Sequence, residues 1–414
     1  MSKTRRQFLS ASAALISFPT IIPSRAFGAN ERVVTGHVGV GGRGLENLRA
    51  FSKNAAAVCD VDKKHLAFAA KLLELTGVKV DTFSDYRRLL DRKDIDAIVV
   101  ATPDHWHALI TIDACKAGKD VYCEKPLTLT IDEGKTMVEA ARIHNRVVQT
   151  GSQQRSSKEF RRACELVRSG KLGKIERVLV GLPGSNFASP AVPDSEPPAE
   201  LDYEFWLGPA PRKPYNSKHV HYNFRFFWDY SGGQMTNFGA HHIDIAQWAL
   251  GRDVSGPISS EGTATFDPKN EYEVPATCNV EHTYDDGVIL QVGQLGKIKV
   301  GLTFLGEDKR RLFVNRGILE TFPVDIAKMD LSSSDDRLQV SDNHYQNFLD
   351  CIKTRNNPIA DIAIGRRSAN ICHLGNIAIR LGRKIQWDPK AQTIVGDPEA
   401  KAMMSRPYRA PWSI

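Results

Sequence analysis

Two textures of hydrophobic patterning divide the chain. From residue 31 to 150, short apolar runs at 33–38, 56–59, 95–101, 120–123 and 147–149 alternate with stretches of helical period at 44–51, 63–75, 85–90, 106–117 and 131–144. Such alternation predicts an α/β domain with a doubly wound parallel sheet. The run 95–101 is almost unbroken in its apolar character, as a strand covered on both faces requires. From about residue 151 the pattern changes. A helix at 157–169, closed by Gly170, leads into a strand at 175–182, and a loop over 183–214 holds 8 of the 21 prolines. A loop that long in a compact protein usually serves function or a subunit contact. A short helix at 241–250 stops at Gly251. Alternating runs at 277–284, 288–292, 297–304 and 310–314 predict an antiparallel sheet with one open face. Helices at 342–355 and 364–382 complete a second, α+β domain over 151–414.

The first 30 residues fit neither texture. Thr4-Arg5-Arg6-Gln7-Phe8-Leu9 precedes a small, apolar stretch at 10–22, followed by Pro23-Ser24-Arg25-Ala26. Paired arginines, a modest apolar core and a small-residue cleavage region are the layout of a twin-arginine signal peptide. The expectation is therefore an exported, periplasmic protein delivered by the twin-arginine machinery and free of the membrane once processed. Composition is that of a globular protein, 42% apolar and 25% charged. The net charge of +7 is not gathered into a basic run, so nucleic acid is not indicated. The seven cysteines form no C-x-x-C pair and are expected to be buried thiols.

Candidate chemistry begins at Gly39-Val40-Gly41-Gly42-Arg43-Gly44, a G-x-G-x-x-G between the first strand and the first helix. Gly39 permits the turn, Gly41 removes a Cβ that would block a pyrophosphate, and Gly44 allows close packing of helix and strand. The helix N-terminus offers free N–H groups to phosphate oxygens. Asp60 closes the second strand, 21 residues after Gly39. A carboxylate there accepts hydrogen bonds from a ribose 2′-hydroxyl and repels a 2′-phosphate, which favours NAD over NADP. Thr102, Pro103 and His107 follow the third apolar run, and Glu124-Lys125-Pro126 follows the fourth, so both segments fall on the sheet edge where ligands of open α/β sheets bind. Lys125 at that edge either polarises a carbinol oxygen or is a surface lysine before a turn proline.

The glycine loop, Thr102-Pro103, Glu124-Lys125-Pro126 and a later glycine–histidine segment resemble the Gfo/Idh/MocA oxidoreductases over essentially the whole chain beyond the leader. That resemblance implies a nicotinamide-binding Rossmann domain and a C-terminal domain with a large, mostly antiparallel sheet. It also implies sugar or polyol substrates, a catalytic Lys125, and a cis Lys125–Pro126 bond. The later segment runs Gly232-Gly233-Gln234-Met235-Thr236-Asn237-Phe238-Gly239-Ala240-His241-His242-Ile243-Asp244. His241 falls on the family histidine, the proton acceptor. Asp244, one helical turn on, is expected to orient it. Asn237 stands where many members carry Asp, and an amide positions a hydroxyl without taking its proton.

His242 is expected to face substrate or to pack. Gln153 and Arg155 are expected to reach cofactor or substrate, or to form an interdomain polar patch. In the aromatic stretch 221–230, Asn223, Arg225 and Trp228 are candidates for a sugar pocket. Phe224, Phe226 and Phe227 serve equally as core. His219, His221, His241, His242 and Asp244 supply metal-ligand types without a zinc spacing, so no metal is expected. The primary expectation is an NAD-dependent oxidoreductase moving hydride between a sugar or polyol carbinol and a tightly held nicotinamide. The alternatives are a redox-assisted glycosidase or lyase and a sugar-sensing binding protein. A homo-oligomer is expected from the open sheet face.

Overall fold

Strand β1 (Thr35–Val38) is buried along its whole length and hands the chain to helix α1 (Gly42–Ala50) through the glycine loop. In this computed structural model the described residues are 32–184, 191–269, 271–294, 296, 298–331 and 337–414. The expected twin-arginine leader lies outside them. Beyond α1 the order is β2 (Ala55–Cys59), α2 (Lys63–Glu74), β3 (Asp81–Phe83), α3 (Tyr86–Leu90), β4 (Ala97–Val100), α4 (Asp104–Lys116), β5 (Asp120–Cys123), α5 (Ile131–Ile143) and β6 (Val148–Thr150). The six strands form one parallel sheet in the order β3-β2-β1-β4-β5-β6, the Rossmann arrangement. Its order reverses between β1 and β4, so the loops after these two strands diverge and leave a crevice.

The rest runs α6 (Lys158–Arg168), β7 (Arg177–Leu182), α7 (Tyr203–Leu207), α8 (Gly233–Asn237), α9 (Gly239–Ala249), β8 (Ser259–Thr265), β9 (Thr277–Thr283), β10 (Ile289–Gln294), β11 (Gly301–Leu305), β12 (Arg311–Asn315), β13 (Ile318–Phe322), α10 (His344–Thr354), α11 (Ile362–Leu381), β14 (Ile385–Asp388) and β15 (Thr393–Val395). Nine strands form a second sheet in the order β13-β12-β11-β7-β10-β9-β8-β14-β15. Neighbouring strands in it are antiparallel except β7 with β10. One face packs against α6 and α9 through Phe160, Cys164, Ile243 and Val280. Along β9 buried and half-buried residues alternate, as a sheet covered on one face dictates.

Several elements differ from the pattern-based expectation. β3 was not expected because its three residues, Asp81-Thr82-Phe83, are polar and largely exposed at a sheet edge. The proline-rich loop contains α7, capped by Asp202, whose side chain accepts from the Phe205 N–H. α1 begins at Gly42 rather than Gly44, within the glycine loop itself. α10 does not join the second sheet. Its Phe348, Cys351 and Ile352 pack on Phe51, Val99 and Tyr122, covering the second face of the Rossmann sheet. All seven cysteines are buried and free.

Candidate active site

A cavity of about 710 Å³ opens along the crevice between the loops after β1 and β4 and extends under the α8–α9 segment. At one end lies the glycine loop. Gly39 adopts φ +79°, and a Cβ on it would meet the Ala101 carbonyl oxygen at 2.7 Å. A Cβ on Gly44 would fall 1.8 Å from the Gly39 carbonyl oxygen, so only glycine lets α1 start this close to β1. Gly41 caps α1 without a side-chain hydrogen bond, which leaves the first-turn N–H groups available. The Asp60 carboxylate closes the loop, accepting from the N–H groups of Val40 at 2.8 Å and Asp62 at 2.9 Å. Thr102 lines the cavity with its hydroxyl oxygen buried and without a protein partner. A turn tight enough to need glycine at Gly39 and Gly44, a helix with uncapped donors and an orphaned hydroxyl fit a dinucleotide.

A strap from the second half of the chain closes over that end. Leu201 forms an antiparallel bridge with Asp62. The Lys63 N–H donates to the Glu200 carbonyl at 2.9 Å, and the Asp202 N–H donates to that of Val61 at 3.0 Å. His221 Nε2 lies 3.0 Å from an Asp62 carboxylate oxygen. Asp62, His65 and His221 thus present ligand-type atoms within 4.8 Å of one another, a grouping that among the candidate metal ligands involves only His221. His65 stands three residues after Asp62, on the first turn of α2.

At the other end Glu124-Lys125-Pro126 leaves β5 with the Lys125–Pro126 peptide cis. Glu124 Oε1 accepts from Arg43 Nε, Asn47 Nδ2 and Gln153 Nε2, each at 3.0 Å. One carboxylate therefore ties α1 to the lysine turn and to the third residue after β6. His107 spans the Thr102 and Pro126 carbonyls at 3.0 and 2.9 Å, fixing the two strand-end turns to each other. Lys125 Nζ donates to the main-chain carbonyl and the side-chain oxygen of Asn237, at 2.8 and 2.9 Å. An ammonium has three donors, so one is left for a ligand. Burial pulls the Lys125 pKa down to about 8, against the opposing pull of Glu124 and Asp104.

His241 lines the same cavity. Its Nδ1 has no protein partner. Burial, and then the Lys125 charge, hold its pKa well below the ordinary imidazole value, so the ring is neutral. Asp104 is buried, accepts from Ser231 Oγ at 2.5 Å, and has its pKa raised by burial.

Among the remaining candidates, Gly42, Pro103, Gln153 and Arg225 also line the cavity. Five others are placed differently. Asp244 does not orient His241. Its carboxylate takes both Nε and NH2 of Arg155, at 2.7 and 3.0 Å, and the Ser368 hydroxyl at 2.8 Å. Arg155 binds Asp253 as well, at 2.7 Å, and is 1% exposed, so it is a buried ion-pair centre rather than a ligand contact. His242 is fully buried off the cavity, both ring nitrogens without a partner, because successive helical residues point about 100° apart. Trp228 turns away to the Glu273 carbonyl and beneath Arg380, and Asn223 likewise does not line the cavity. The structure adds Tyr222, Phe238 and Arg316 to the wall. Arg316 sits at the β12–β13 turn, where nothing in the local sequence ties it to His241.

Residues 33–152 match the Gfo/Idh/MocA oxidoreductase family's NAD-binding Rossmann fold, and residues 185–414 match its C-terminal alpha/beta domain. The uncharacterized oxidoreductase YrbE of Bacillus subtilis (strain 168) is 25% identical over 242 residues, 58% of this chain and 59% of that protein. Inositol 2-dehydrogenase of Salmonella typhimurium (strain LT2) is 27% identical over 186 residues, 42% of this chain and 53% of that enzyme. Glycosyl hydrolase family 109 protein 1 of Shewanella sp. (strain ANA-3) is 29% identical over 154 residues, 35% of this chain and 34% of that protein. The match to the first two spans a little over half of their length. The WlbA dehydrogenase of Bordetella pertussis, solved with NADH and UDP-GlcNAcA, superposes with a TM-score of 0.65 at 19% identity, over 87% of this chain and 98% of that one. Levoglucosan dehydrogenase, solved with NADH and levoglucosan, gives 0.61 at 17%, over 86% and 99%. At these identities the likeness to the solved structures is one of fold.

Proposed function

Since the chain belongs to the Gfo/Idh/MocA oxidoreductase family and carries its NAD-binding Rossmann domain, we propose that it transfers hydride between a sugar or polyol carbinol and a nicotinamide cofactor. The observation that carries this reading is the meeting of Lys125, Asn237 and His241 in the cavity that the glycine loop opens. The loop from Gly39 to Gly44, with Arg43 behind it, would hold the pyrophosphate. Asp60 would hold the adenosine ribose, and Thr102 and Pro103 would border the nicotinamide half. The bound nicotinamide supplies an acceptor for the two electrons of the carbinol C–H bond.

The chain's own residues do the rest. Asn237 fixes the Lys125 ammonium with two hydrogen bonds, so that its third donor meets the carbinol oxygen and stabilises the charge that develops there. The neutral His241 imidazole takes the hydroxyl proton. The carbinol thereby loses a hydride and a proton and becomes a carbonyl. Relatives and fold neighbours whose names include inositol, UDP-GlcNAcA and levoglucosan support a sugar or polyol substrate. Incubation of the purified protein with NAD and a panel of sugars and polyols tests the reading. Absorbance at the reduced-nicotinamide band is expected to rise with at least one of them. No reduction, by a protein that also binds no nicotinamide, would sink it.

A redox-neutral glycosidase is the second reading, favoured by the similarity to the family 109 glycosyl hydrolase. Transient oxidation would acidify the neighbouring C–H, elimination would release the aglycone, water would add across the double bond so formed, and the hydride would return. Solvent deuterium in the product without net nicotinamide reduction separates this from simple dehydrogenation. We also assign the Arg5-Arg6 leader to twin-arginine export. The expected result is that Lys replacement of both arginines retains the protein in the cytoplasm.

A further inference from the structure

Charge is unbalanced at the sugar end of the cavity. Lys125, Arg225 and Arg316 are its cations. The carboxylates nearby are already engaged: Glu124 is bound by Arg43, Asn47 and Gln153, while Asp104 accepts from Ser231 and is driven towards its neutral form by burial. Arg225 lies flat on Tyr222, its guanidinium carbon 3.8 Å from the ring centroid, and its Nε is buried without a hydrogen-bond partner. Arg316 rests 5.3 Å from the Phe238 ring centroid. Neither has a carboxylate partner among the described residues. Arg43 and Arg155, by contrast, are each paired.

Burying the Arg225 guanidinium without an ion-pair partner is costly, and its unpartnered Nε–H is a donor ready for an acceptor oxygen, while Arg316 adds an exposed positive charge on the same wall. We propose that the substrate is an acidic sugar whose carboxylate is received by Arg225 and Arg316 while its carbinol is presented to Lys125 and His241. The inference rests on the hydride-transfer reading for the location of the sugar. The two arginines are specificity residues, set apart from the proton chemistry. Among the described residues the carboxylates at this end, Glu124 and Asp104, are both engaged, so neither competes with a ligand's carboxylate for the two arginines.

The test compares matched pairs on the full-length, NAD-loaded protein: glucose with glucuronate, galactose with galacturonate, and each hexose 6-phosphate. Binding is read by calorimetry and turnover by nicotinamide absorbance. At least one uronate is expected to bind about 10- to 100-fold more tightly than its neutral sugar, the range of a charge-assisted hydrogen bond. Arg316→Met, on an exposed turn and so a mild test of folding, and Arg225→Met are each expected to bring that ratio towards one, with Arg225→Lys restoring part of it. Equal affinity for acid and neutral sugar, or a preference for the phosphate, overturns the proposal. A uronate that binds tightly without turnover upholds it while removing the hydride-transfer reading. Turnover of neutral sugars with no preference for uronates does the reverse.

Discussion

In the proposed reaction Lys125 is the residue on which the chemistry turns, and its environment gives a pH signature. Its pKa is brought down to about 8 by burial, and the role assigned to it needs the ammonium. Sugar oxidation is therefore expected to fall as pH rises through about 8. Between pH 6 and 7.5 it should stay level, because His241 is held well below its ordinary value and does not titrate there. Measuring kcat/KM against pH checks both limbs. A rate that climbs through pH 8 would instead make Lys125 the base. Lys125→Ala should cost about 10²–10⁴-fold in kcat. Lys125→Arg, charged throughout, should be slow but lack the alkaline fall.

Asn237 explains why the lysine is so placed: it accepts twice from Nζ, and an amide oxygen does this without contributing a competing charge. The sequence pointed to Lys125 by motif and strand-end position and to His241 by motif alone, and both line the cavity. It misplaced Asp244 because a one-turn spacing on a helix says which residues are near, not which way a carboxylate turns when a buried guanidinium stands on its other side.

At the scale of elements, the glycine loop was legible in detail, since each glycine answers a local steric demand. Gly44→Ala places a methyl 1.8 Å from the Gly39 carbonyl and must push α1 off β1. The expected cost is about 1–3 kcal/mol, read as a lower unfolding midpoint together with weaker retention of NAD on dialysis. Unchanged retention would show that the helix start is not part of the cradle. The strap over Asp62 was not legible. It is built from main-chain pairing between residues about 140 positions apart, Asp62 and Leu201, in a stretch whose prolines predict only a loop. β3 and the outer strands of the second sheet were missed for a related reason. Edge strands carry polar residues, and their pairing is decided by neighbours rather than by their own alternation.

On the scale of the molecule, two sheets share one network of buried charge and packing. Arg155, just past the Rossmann sheet, holds Asp244 of α9 and, beyond it, Asp253. Burial opposes its charge, and the two carboxylates more than restore it, raising its pKa. Arg155→Leu leaves Asp244 buried without its partner and is expected to destabilise the protein by about 3–5 kcal/mol, measured by urea unfolding. Because Asp244 shares α9 with His241, the variant should also lower kcat more than it weakens NAD binding. α10 adds a second tie, closing the Rossmann sheet with residues from far along the chain.

Glu124 has a kinetic consequence. It is gripped by Arg43 and Asn47 of the helix that begins at the phosphate cradle, and the next residue in the chain is the lysine that awaits the sugar. A nucleotide that settles α1 at the proposed cradle would thus steady the lysine as well. The two substrates should accordingly enter in compulsory order, dinucleotide first, with the sugar product leaving before the dinucleotide does. Protein stripped of nucleotide is expected to give no calorimetric signal with sugar and to recover it when NAD is restored. Equal sugar affinity with and without the dinucleotide would instead make the order random and leave Glu124 a structural brace alone.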